Sequence, residues 1–226
     1  MRKLSEQELD QIKKAISAKE LTSAEILIEI FDHYVSHLEG YGDSAFENEI
    51  LELEMKFTQH YCKSLQDKHF NSTHSGMRAL QWKIFKSQLS WPKSMFTVTT
   101  LSLISYLWTT INGRTRTFVI LVPLGIILLL VAWISIKSTF KVRSLKKTLG
   151  VSNYLQSDYL KIILGQWSLI ISTLTLGVLA PKNLGLIDPF TNPYYGYITF
   201  FLAIIYLGYF LTLLKAWKIK TKTALI

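Results

Sequence analysis

The chain of 226 residues is 49% hydrophobic, has a mean hydropathy of +0.24 and carries a formal charge of +9. Residues 1–90 hold 11 Lys/Arg against 14 Asp/Glu, whereas residues 91–226 hold 14 against 2 and contain long uncharged runs. This asymmetry reads as a soluble segment followed by a membrane segment with basic flanks, and it argues against nucleic acid as the partner of the positive charge, because the cations sit in short loops beside apolar spans.

In chain order, the first 17 residues are polar and amphipathic and lack the apolar core of a secretory signal. Three helix starts follow. Ser5 with Glu8 forms a capping box, with Leu4 and Leu9 as its hydrophobic staple; Thr22 with Glu25 repeats the box, with Leu21 and Ile26 as staple; Ser44 with Glu47 is a third box without a staple. Helices over roughly 5–18, 22–39 and 44–69 are expected, with Gly40 and Gly42 ending the second. Their apolar stripes, such as Ile26, Ile30, Tyr34 and Leu38, suit a small three-helix domain over residues 1–72. The acidic residues Glu47, Glu49, Glu52 and Glu54 read as a solvated face. Residues 73–93 read as an amphipathic juxtamembrane helix: Trp82, Phe85 and Trp91 alternate with Arg78, Lys83 and Lys86, and Pro92 stands at the junction.

Residues 94–226 hold four stretches near the 17–25 residues that a helix needs to cross a hydrocarbon core, approximately 94–111, 117–136, 162–180 and 197–214. The first is diluted by hydroxyls, among them Thr99, Ser102 and Ser105, and the second contains Pro123 and Gly125, where a kink is expected. Counting Lys and Arg places fourteen on one side of these spans and three on the other, so both termini are expected in the cytoplasm. The loop 181–196 is then external, and Trp167, Phe190, Tyr194, Tyr195 and Trp217 serve as interfacial anchors. The fold class expected is all-α, a cytoplasmic three-helix domain followed by a four-helix transmembrane bundle.

The chemistry in these residues is sparse. No Asp, Glu, Lys, Arg or His lies inside a span, which disfavours a carrier of charged solutes; Gln166, at the edge of the third span, is the most polar side chain there. There is no GxSxG, P-loop or GxGxxG, so neither an enzyme nor a cofactor is expected. Cys62 is the only cysteine, which excludes an intramolecular disulfide and a CxxC metal site. His33 and His37 stand at i and i+4, a spacing that lets two imidazoles share a metal, but DHYVSH lacks the glutamate of HExxH.

The segment ELTSAEILIEIFDHYVSHLEGYGDSAFENEILELEMKF resembles the helical N-terminal module of bacterial membrane proteins frequent in Bacteroidetes, with an ELxDHxxxxIE motif, a glycine turn and FEEA. The matching residues are Glu29, Asp32, His33, Leu38, Glu39, Gly42, Phe46 and Glu47; Tyr34, Val35 and Ser36 stand where that module often has cysteine. A more distant similarity is to HAAS-type domains encoded beside PadR-like regulators. The resemblance implies a bacterial inner-membrane protein. The well-capped soluble module and the spans without ionisable residues point to a domain that docks a protein partner or a second copy, with Glu29, Asp32, His33 and Glu47 as the candidate docking residues. The expected role is regulatory, signal-coupling or scaffolding. The alternatives are a small permease or channel-like subunit, with Thr99, Ser102, Ser105 and Gln166 as polar bundle positions, and a metal-responsive sensor through His33 and His37.

Overall fold

The computed structural model describes residues 2–88, 90–111, 113–151, 154–185 and 192–223. The regular structure of these residues is helical, with no strand among them, and the chain divides into two compact units. The first unit comprises Met1–Ser75 and Ser135–Lys161; the second comprises Gly76–Ile134 and Ile162–Ala224. The first unit is therefore not confined to residues 1–72, since the connection between the second and third apolar stretches is built into it.

In the first unit, α1 (Glu6–Ser17) begins on the expected box: the Glu8 amide donates to Ser5 Oγ at 3.3 Å and the Ser5 amide to Glu8 Oε2 at 2.8 Å. Arg2 adds to it, gripping Glu8 through both terminal guanidinium nitrogens and reaching Asp43 at 2.7 Å. That hydrogen-bonded guanidinium, more than any other group, holds the Glu8 carboxyl down to about 2.

The start of α2 (Ala24–Leu38) corrects the second box. Ser23, not Thr22, is the cap and accepts from the Ile26 amide, because the amide and hydroxyl of Thr22 both donate to Gln66 Oε1. A 3-10 turn, Asp43–Ala45, precedes α3 (Phe46–Lys56), and neither has a side-chain cap, so the third box does not form. The expected third helix also breaks: Phe57 leaves helical geometry with its ring buried, and Thr58 Oγ1 accepts from the Tyr61 amide to start α4 (Gln59–Gln88). The helix expected separately over 73–93 is the second half of α4, which runs unbroken through the helix-poor sequence Ser72–Gly76.

The core of this unit gathers Ile12, Ile16, Leu21, Leu27, Ile30, Tyr34, Leu38 and Leu53, each at most 2% exposed. Val142, Leu149, Val151 and Leu155 from the distant segment belong to the same core, with Leu145 packed against it. Val142, Leu145 and Leu149 fall at i, i+3 and i+7 on the last turns of α6 (Gly113–Leu149), one helical face turned inward. Fully burying each such side chain contributes about 1.5–3 kcal/mol.

The second unit contains α5 (Lys93–Thr110), most of α6, which passes through Pro123 as helix, and α7 (Asp158–Leu174) beyond its first turn. A π turn (Thr175–Leu179), the short α8 (Ala180–Asn183) and α9 (Pro193–Thr223) complete it. Among the described residues, three helices are long and apolar enough to cross a membrane: Val122–Leu149, Asp158–Gly177 and Tyr194–Ile219. The first expected span corresponds to α5, an 18-residue helix outside that set. Phe190 and the middle of the expected external loop lie outside the described residues.

Candidate functional site

The densest polar assembly lies in the first unit, where the start of α2 meets the start of α7. The backbones pair first: the Ala24 amide donates to the Gln156 carbonyl at 3.1 Å and the Gln156 amide to the Thr22 carbonyl at 2.9 Å. Side chains then lock the pairing in both directions. Glu25, spared from a local box, accepts from Ser157 Oγ and from the Asp158 amide at 3.0 Å, so it caps the N-terminus of α7 across 133 positions of sequence. Ser23 Oγ returns the contact, donating to Asp158 Oδ2 at 2.7 Å.

Asp158 is the hub. Its side chain is 2% exposed, and besides Ser23 it faces His69 Nδ1 at 2.9 Å and Lys161 Nζ at 3.5 Å. Acceptance by a carboxylate places a proton on Nδ1 of His69. A buried carboxylate persists only when its lone pairs are engaged in this way. Ser, His and Asp are also the residue types of a hydrolytic triad, but the connectivity differs. Ser23 and His69 both address the same carboxylate oxygen, no hydrogen bond joins them among the described residues, and Ser23 is 1% exposed. The arrangement acts as a clasp.

A second polar group lies inside the second unit. Gln81, 2% exposed on α4, exchanges hydrogen bonds with Gln166 on α7 at 3.3 and 3.5 Å and donates to the Tyr209 carbonyl of α9 at 3.2 Å. The Gln166 amide is thus engaged in holding helices together. Tyr197 on α9 donates to Ser105 Oγ on α5 at 3.1 Å, and Thr99 Oγ1 donates to the Met95 carbonyl of its own helix. Ser102 is exposed on α5.

The remaining expected residues lie on the surface of the first unit. Glu29, Asp32 and His33 are exposed on α2 and Glu47 on α3. His33 stacks on His37 with ring centroids 6.4 Å apart and meets the edge of Phe57, while His37 Nε2 lies 2.9 Å from Glu49. Glu49 is therefore paired and half-buried rather than part of a solvated face. No group of three or more His, Cys, Asp and Glu able to hold a metal is found among the described residues.

Ser23, Glu25, His69, Ser157 and Asp158 were not singled out from the sequence as a site. The available signal was Asp158 itself, one of only two acids after residue 90.

Fold and site together define an all-helical protein with three helices able to span a membrane and a separate helical unit built from two distant stretches of chain. No protein family, curated protein or solved structure matches the chain.

Proposed function

We propose that the protein is a four-span protein of the bacterial inner membrane with a regulatory or scaffolding role. Its helical domain and both termini lie in the cytoplasm, and the domain docks a protein partner through the exposed face around Glu29, Asp32, His33 and Glu47. The observation that carries this reading is the clasp. Residues 22–25 and 156–158 are hydrogen-bonded within one unit, so both occupy the same side of the bilayer. Between them the chain must cross an even number of times, and α6 alone would cross once.

This parity supports α5 as the return span. Its 18 residues fall within the length a crossing helix needs, and Met95, Val98, Leu103 and Tyr106 expose 53–67% of their surface, as lipid-facing side chains do. Helices α7 and α9 then form a second pair of crossings, and the basic flanks put the domain in the cytoplasm. The clasp gives docking a route to the bundle, because a partner that shifts α2 acts directly on the residues that cap α7.

The test is co-purification in mild detergent of the intact chain and of Glu29→Lys/Asp32→Lys. A stoichiometric partner lost in the variant, with the clasp intact, supports docking. A partner-free homo-oligomer that carries solute in liposomes, with flux abolished by Thr99→Val/Ser102→Ala, contradicts it in favour of a permease. The hydroxyls of Thr99 and Ser105 are engaged within and between helices, which supports packing over a polar path.

A further inference from the structure

Beyond its packed face, the end of α6 carries a feature that neither the clasp nor the docking surface uses. Phe140, Arg143, Ser144, Lys146, Lys147, Gly150 and Val151 line an open concavity of about 610 Å³ with no acid in its wall. Gly150, at φ 64°, makes the left-handed turn that ends the helix and forms the far lip. Phe140 is 68% exposed, and Arg143 and Lys147 are exposed one turn apart on its side of the helix.

We infer that this concavity is a binding site for the phosphate of an anionic phospholipid headgroup in the leaflet from which α6 emerges. The inference rests on the membrane crossing of α6 proposed above. The last uncharged residue of that apolar stretch is Ile136, followed by Lys137. At about 1.5 Å per residue, Phe140 lies about 6 Å beyond it and Lys147 about 16 Å. The polar layer of one leaflet is about 5–7 Å deep. Phe140 and Lys141 therefore stand among the headgroups, Arg143 just above them, and Lys147 about 9 Å above them, where it adds to the positive potential facing the surface. Helical side chains lean toward the N-terminus, which for α6 is the membrane side, so Arg143 reaches back toward the phosphate plane. The planar guanidinium of Arg143 offers paired donors to phosphate oxygens.

The full chain in uncharged detergent is titrated with short-chain phosphatidylglycerol, short-chain phosphatidylcholine and inorganic phosphate, reading the melting temperature. Phosphatidylglycerol is expected to stabilise the wild type saturably, and phosphatidylcholine is not. Each basic residue near such a surface contributes about fivefold in affinity, so Arg143→Gln/Lys147→Gln should bind about thirtyfold more weakly and Arg143→Gln alone about fivefold. The control Lys3→Gln/Lys63→Gln, two exposed lysines away from any span, should bind like the wild type. Equal responses to the two lipids, an equal loss in the control, or the same stabilisation by inorganic phosphate would overturn the proposal. The assay does not read sidedness, so its failure is distinct from a failure of the topology, which accessible cysteines report separately.

Discussion

Replacing Asp158 by alanine tests the clasp at its hub. The Ser23–Asp158 bond joins a hydroxyl and a carboxylate that are both almost wholly buried, and a charge-assisted bond of this kind contributes about 1.5–3 kcal/mol. His69 and Lys161 keep 29% and 32% of their side chains exposed, so solvent screening limits each of them to about 1 kcal/mol or less. The expected cost of Asp158→Ala is about 3 kcal/mol, or about two orders of magnitude in the equilibrium for opening the junction. Asp158→Asn keeps an acceptor for Ser23 while losing the charge, and should cost about 1–2 kcal/mol. Hydrogen exchange in detergent reads this directly, because the amides of Ala24, Gln156 and Asp158 are all protected by bonds across the junction. Their exchange should accelerate about a hundredfold in Asp158→Ala and less in Asp158→Asn, while the exposed control Asp32→Ala changes them little. Acceleration below about threefold in Asp158→Ala, or equal effects of the two substitutions, would refute a charged hub.

Other expectations follow from the same unit. Leu149→Ala should cost about 2–4 kcal/mol in thermal or denaturant unfolding of the domain, as a core leucine does and a leucine in an exposed connecting loop does not. Glu8 has a folded value of about 2 against an ordinary 4.5, so its stabilisation is intact above pH 4.5 and is lost as the pH falls toward 2. The protection of the amides at the start of α1, corrected for intrinsic exchange at each pH, should fall over that window, and Glu8→Gln should remove that fall. Cys62 is fully buried and burial pushes its thiol up, so maleimide should label it slowly in the native protein and rapidly after unfolding.

Local signals were legible where local chemistry prevailed. The Ser5–Glu8 box formed as written, and the stripe of α2 became core. The second box failed because Gln66 occupied Thr22 and Glu25 was drawn to Ser157 and Asp158, partners more than 130 positions away that no local pattern identifies. Residues 137–161 registered only as basic charge between the second and third stretches, although Val142, Leu145 and Leu149 recur there at helical spacing. That spacing marks the face that joined the core. The break at Phe57 was hidden for the opposite reason: the apolar period continues through it, and only the Thr58 cap marks it.

Cysteine accessibility reads directly whether the chain crosses the membrane an even number of times between the two halves of the clasp. In a Cys62→Ala background, single cysteines replace Ser36 and Thr148 in the domain, Thr115 near the start of α6, and Leu184 before α9, all exposed positions. A membrane-impermeant maleimide should label positions 115 and 184 in intact cells, and positions 36 and 148 only after permeabilisation. Opposite behaviour of positions 36 and 148, or shielding of position 115 together with both of them, would contradict the proposed four-span topology.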